Sequence, residues 1–191
     1  MKKLAMAVCG LALGVATVSA QAADYVIDTK GAHASVQFKI KHLGYSWLLG
    51  RFNTFEGSFI YDEKAPEKAS VAVSIDTASI DSNHAERDKH LRGSDFLNVD
   101  KFPKATFKSS EFEPKEDGKA VLKGTLTLHG VSKEISIDVV EIGAGKDPWG
   151  GYRRGFSGET ALRLKDFNID YNLGPASEVV YLELNVEGIR K

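Results

Sequence analysis

Lys119-Ala120-Val121-Leu122-Lys123-Gly124-Thr125-Leu126-Thr127-Leu128-His129-Gly130-Val131-Ser132-Lys133-Glu134-Ile135-Ser136-Ile137-Asp138-Val139 decides the fold class. Leu122, Leu126 and Leu128 share one parity, with Gly124 between them, and Lys123, Thr125 and Thr127 take the other. Beyond His129-Gly130 the pattern resumes: Ile135, Ile137 and Val139 alternate with Ser136 and Asp138. A period of two is the mark of a strand with one dry and one wet face. The two residues between the runs predict a tight hairpin.

The same alternation extends outward over the chain. Val36, Phe38 and Ile40 alternate with polar residues, as do Val71, Val73 and Ile75, then Leu162 and Leu164, then Leu182, Leu184 and Val186. All five prolines fall between such runs, where they act as punctuation. The runs predict about eight strands, at 33–41, 51–61, 69–77, 104–112, 119–128, 132–142, 155–165 and 178–189, with a short pairing segment near 25–28. Hairpin-length gaps imply up-and-down order, and closure into a barrel removes the exposed edges of an open sheet. The expected fold is all-β: a single antiparallel eight-stranded barrel over residues 23–191 with one short polar helix near 83–92.

The first 22 residues read as an address. Lys2 and Lys3 precede an apolar run from Leu4 to Val18, and Ala20-Gln21-Ala22 supplies a small-x-small cleavage site. That run is shorter than the roughly 20 residues a membrane span needs. Cleavage after Ala22 and export to the periplasm are therefore expected, with no permanent membrane anchor. Of 191 residues, 42% are hydrophobic and 27% charged, as in an ordinary globular protein. With 25 Lys and Arg against 26 Asp and Glu, no basic excess points to nucleic acid. Loss of the leader removes two lysines and leaves 23 bases against 26 acids, a net of −3. It also removes Cys9, the single cysteine, and with it any disulfide or thiolate metal site.

Residues 82–97 break the alternation and hold the densest set of reactive side chains. Ser82 or Asn83 can cap a helix, with Glu86 as the capping-box partner of Asn83 and Gly93 as its stop. Arg87, Asp88 and His90 could bind a head group or do acid–base chemistry, with His90 as base, Asp88 orienting it and Arg87 holding an anion. Alternatively the three tie the helix across one end of the barrel. His84 and His90 are six apart, off the i,i+4 spacing of helical metal ligands, and a zinc site would have to recruit His33, His42 or His129. No metal or cofactor is expected, and neither a Gly-x-Ser-x-Gly turn nor a dinucleotide fingerprint occurs. Residues 41–50 place Tyr45, Trp47, Leu48 and Leu49 in an expected loop, as a plug for the barrel end or the rim of a lipid pocket.

Together these segments resemble the YceI-like family of periplasmic lipid-binding proteins. The resemblance runs through Lys41-His42-Leu43-Gly44-Tyr45-Ser46-Trp47-Leu48, through Asn83-His84-Ala85-Glu86-Arg87-Asp88-Lys89-His90-Leu91-Arg92, and through Asp147-Pro148-Trp149-Gly150-Gly151 and Leu173-Gly174-Pro175-Ala176-Ser177. It implies a lipocalin-like barrel whose interior holds a long isoprenoid or similar amphiphile. The expected role is that of a carrier rather than an enzyme, the alternative being an enzyme using the His90, Asp88 and Arg87 cluster. The candidate lining is Phe38, Ile40, Phe55, Phe59, Val73, Ile75, Leu126, Leu128, Ile137, Val139, Leu162, Leu164, Leu182 and Leu184, and the head-group or rim candidates are Tyr45, Trp47, Arg87, Asp88 and His90. The oligomeric state stays open, a homodimer included.

Overall fold

The computed structural model describes residues 22–191, so the expected leader, but for Ala22, and Cys9 lie outside the described residues. The strands are β1 (Ala23–Ile27), β2 (Ser35–His42), β3 (Ser46–Phe52), β4 (Phe55–Tyr61), β5 (Ser70–Asp76), β6 (Ile80–Asp81), β7 (Lys104–Pro114), β8 (Lys119–Leu128), β9 (Val131–Lys146), β10 (Tyr152–Arg163) and β11 (Val179–Arg190). One α-helix, α1 (Ala85–Arg92), stands between β6 and β7.

Eight of these strands close a ring in the order β1-β4-β5-β7-β8-β9-β10-β11, with β1 pairing back onto β11. All neighbours in the ring are antiparallel. The wall is not uniform along its axis. One stretch of β11, Val180–Asn185, pairs with β2, while its end, Gly188–Arg190, pairs with β1. One end is thus sealed by β1, and at the other the sheet spreads outward through β2, β3 and β6. Strict up-and-down order would set β2 beside β1. Instead β2 and β3 lie outside the ring and the chain crosses from β1 to β4.

The hairpin at His129-Gly130 forms as the alternation requires, joining Leu128 to Val131 with φ values of 50° and 76°. The expected strand over 51–61 divides instead at Asn53-Thr54. Phe52 faces Val36 in one pairing, and Phe55 faces Ile75 in another. Phe52 and Phe55 have opposite parity, so one unbroken strand would turn one of them outward. The residues expected as a loop at 41–50 are a hairpin. Leu43-Gly44, at φ 53° and 83°, turns the chain, and Trp47, Leu48 and Leu49 belong to β3.

The helix also differs in detail. Its N-cap is His84, whose Nδ1 accepts from the Arg87 N–H at 3.2 Å, and neither Ser82 nor Asn83 caps it. Asn83 instead takes a left-handed φ of 62° that turns the chain into the helix. Gly93 ends the helix as expected, its N–H donating to the His90 carbonyl.

Candidate functional site

Inside the spread end of the barrel lies a cavity of about 350 Å³. Of the side chains expected to line it, Phe38, Ile40, Ile75, Leu126, Leu128, Leu162, Leu164 and Leu182 do so. Phe59, Ile137, Val139 and Leu184 line a smaller cavity of about 90 Å³ on the β1 side. The two follow one another along the inward face of β11: Val180 and Leu182 face the larger, Leu184 and Val186 the smaller. Phe55 and Val73 line neither. They pack with Tyr25 and Phe59 under β1, because the seal made by β1 turns that part of the interior into solid core. Tyr25 and Phe59 stack there at 4.7 Å.

Strand β3 supplies wall residues that the sequence reading placed in a loop. Leu48 and Phe52 line the larger cavity, and Gly50 between them accommodates the Phe38 ring. A Cβ at Gly50 would stand 2.2 Å from Phe38 Cζ, so no larger residue fits while Phe38 holds this position. The alternation Leu48-x-Gly50-x-Phe52 carried that signal, masked by the apolar residues on the opposite parity. Phe96, Leu97, Ile169 and Leu173 also line the cavity, from irregular segments whose sequence shows no periodicity.

The rim takes Arg87 and His90 of the residues expected there, but not Tyr45, Trp47 or Asp88. Tyr45 is 88% exposed in the hairpin turn, and Trp47 points outward, edge-on to Tyr181 at 5.6 Å. Neither lines the cavity, because the hairpin sends their parity to solvent, whereas His42 and Leu43 do line it. Their exposure opens this end to water. From α1, Arg87 and His90 face the cavity and Asp88 does not.

The Asp88 carboxylate is buried, and Oδ1 accepts from the Ser82 backbone N–H at 2.8 Å and from the Ser82 hydroxyl at 2.5 Å. Arg87 converges on the same residue, donating from Nε to Ser82 Oγ at 2.7 Å and from Nη2 to the Ser82 carbonyl at 2.5 Å. His90 meets Asp95 instead, with Nε2 and Oδ2 3.1 Å apart, and stands edge-on to Phe96 and Tyr171. The expected pairing of Asp88 with His90 is therefore not formed. Two residues, about 200° around the helix, separate Asp88 from the ring that it would orient, and Ser82 takes its carboxylate.

The other histidines are dispersed. His129 Nδ1 lies 3.0 Å from the Phe167 carbonyl, and its ring lies against Phe102. His33 lies beside Asp28 and Glu187, where the three could offer ligand atoms to a metal. Arg153 occupies that place: its Nη1 donates to Asp28 at 2.7 Å and to Glu187 at 2.5 Å. Its Nε donates to Asp147 at 2.9 Å, and the hydrogen bond from Arg153 holds the Asp147 carboxyl below its ordinary range. This network sits outside the cavity lining. Among the described residues no helix is long and apolar enough to cross a membrane.

A family profile described as the YceI-like domain matches residues 25–188, which spans β1 to β11. The chain belongs to the YceI-like family. A UPF0312 protein of Shewanella putrefaciens is 56% identical over 190 residues, covering 100% of this chain and 99% of its own. Among solved structures, the Campylobacter jejuni YceI protein is 31% identical with a TM-score of 0.72, covering 80% of this chain and 90% of that one. A polyisoprenoid-binding domain from Saccharophagus degradans is 15% identical with a TM-score of 0.65, covering 87% of this chain and 98% of its own. At that identity the likeness is one of fold. The closed eight-stranded antiparallel barrel is the YceI-like fold.

Proposed function

We propose that this protein is an exported carrier that holds a long isoprenoid or similar amphiphile inside its barrel. The observation that carries the reading is the apolar cavity of about 350 Å³, open at the end where β2 and β3 leave the ring. Its size falls in the ~300–1,000 Å³ range of small-molecule sites. Burial of a chain of ~20 carbons gains roughly 16 kcal/mol gross, against association and ordering costs of ~4–15 kcal/mol. Apolar walls alone therefore suffice for binding. Membership of the YceI-like family, and a polyisoprenoid-binding domain among proteins of the same fold, support the choice of ligand class. An enzymatic role for the His90 cluster has less support, because Asp88 and His90 do not pair.

Organic extraction of the purified protein followed by mass spectrometry tests the reading, with two variants of β2. Phe38 is buried and lines the cavity, and its neighbour Gln37 is exposed. Phe38→Arg sets an unpaired charge among apolar walls, where neither water nor a lipid chain solvates it. It loses co-purifying lipid, and Gln37→Arg keeps it. Circular dichroism establishes that both variants fold. Equal lipid retention by two folded variants would place the ligand elsewhere.

A further inference from the structure

Five polar residues line the larger cavity: Lys41, His42, Arg87, His90 and Ser177. Four are basic, and no carboxylate is among the lining. Composition does not account for this, because the whole chain carries 25 Lys and Arg against 26 Asp and Glu. Position does. Lys41 and His42 end β2 at the open side, and Arg87 and His90 come from α1. Ser177 is already committed, its hydroxyl donating to the Lys41 carbonyl at 2.6 Å.

Lys41 stands opposite Trp47 on the outward parity of β2, and its ammonium lies 5.6 Å from that outward-facing ring, so Arg87 is the permanent cation that faces the cavity. Arg153 and Arg154, at the sealed end, pair with carboxylates. Among the described residues Arg87 makes no direct ion pair. Arg87 is half-buried, and its two hydrogen-bond partners are the neutral hydroxyl and carbonyl of Ser82. Its Nη1 makes no hydrogen bond among the described residues, so the guanidinium is fixed in place with donor capacity to spare. A half-buried cation held this way attracts an anion more strongly than a solvated one.

We infer that the amphiphile held in this cavity carries an anionic head group, phosphate or carboxylate, which Arg87 binds at the mouth while the chain fills the apolar interior. The inference rests on the carrier reading and adds the chemical class of the head. A neutral head would leave the free edge of the Arg87 guanidinium without a charged partner at the mouth. A head with its own cation would meet like charge. Phosphate suits the free edge of a guanidinium because its oxygens can accept parallel N–H donors.

Calorimetry with the full mature chain tests this using geranylgeranyl monophosphate and geranylgeraniol, which share a chain and differ in the head. The phosphate is expected to bind about tenfold or more tightly than the alcohol, the scale of one charge-assisted hydrogen bond. Raising the salt concentration narrows that gap, a readout that needs no variant. Arg87→Gln brings the phosphate down toward the alcohol, Arg87→Lys restores part of the difference, and alcohol binding by each variant confirms an intact interior. Lys41→Gln, on the outward parity of β2, leaves the gap unchanged and serves as the control for charge outside the mouth. Equal affinity of the wild-type protein for both compounds overturns the head-group inference and leaves the carrier reading standing. Binding of neither compound overturns the carrier reading itself. Inorganic phosphate alone is expected to bind too weakly to displace the lipid phosphate, and displacement at comparable concentration would make the rim a free-anion site.

Discussion

Asp28 is buried and accepts from three directions: His33 Nδ1 lies 2.9 Å away, Arg153 Nη1 2.7 Å, and the Gly31 N–H 2.8 Å. The hydrogen bonds from His33, then Arg153, then Gly31 lower its pKa from 3.8 to about 2. A carboxyl whose folded pKa is lowered adds stability above its unfolded pKa and loses it as pH falls through the folded one. For Asp28 that contribution is about 2 kcal/mol at neutral pH, and it disappears between about pH 4 and pH 2. Asp28→Asn should therefore lower the urea-unfolding free energy by about 2 kcal/mol at pH 7, the deficit shrinking toward zero near pH 2. A deficit independent of pH would assign the loss to packing rather than to charge. No local pattern marks this site, since its members, Asp28, His33, Asp147, Arg153 and Glu187, come together only when β1, β10 and β11 meet at the sealed end.

The helix α1 shows how an element can be legible while its role is not. Missing alternation and the Gly93 stop predict a helix near 83–92, and eight residues, Ala85–Arg92, form it. At that length its own hydrogen bonds do not hold it, so its stability must come from anchors. Asp88 and Arg87 close on Ser82, and Arg92 donates to the Ala78 and Ile80 carbonyls at 2.8 and 3.1 Å. Asp88→Ala leaves the buried Ser82 N–H and hydroxyl without their acceptor, a cost of roughly 1–3 kcal/mol. The expected result is faster amide hydrogen exchange across residues 85–92 with protection of β8 and β9 unchanged. Uniform loss of protection throughout the barrel would show that the helix is part of one cooperative unit with the wall.

Across the whole molecule, β1 decides whether the barrel closes. Ala23 pairs with Tyr61 in β4, and Tyr25 pairs with Arg190 in β11. The first residue expected after cleavage is thus also the first residue of the strand that seals the ring. Export supplies the matching prediction: the intact mass of protein from the periplasmic fraction should correspond to a chain beginning at Ala23. A mature start several residues further in would remove ring pairings, and a full-length cytoplasmic product would overturn export altogether. The arrangement of the barrel was only partly readable. The alternation predicts eight strands, but one of them, 33–41, lies outside the ring as β2, and the short segment near 25–28 closes the ring as β1. The spread of β2, β3 and β6 beyond the ring creates the cavity, and parity cannot show which strand pairs with which.

By itself the sequence determined the inward face of each long strand. Alternation at Phe38, Leu126, Ile137, Leu162 and Leu182 leaves one way to bury the apolar set, and all five are in the interior. It also determined the tight turn at His129-Gly130, since two residues cannot connect antiparallel strands in many ways. Only the tertiary structure decided which inward residues meet empty space. Phe38 and Phe55 look alike in the sequence, yet one borders the cavity and the other packs under β1, because cavities arise from how far apart the walls stand. The same holds at the mouth. Arg87, Asp88 and His90 are neighbours in the chain, but helical geometry turns Asp88 toward Ser82 and leaves Arg87 and His90 facing the cavity, where His42 of β2 joins them. Alternation is a local property of the backbone, whereas the pairing of side chains across a mouth depends on elements distant in sequence.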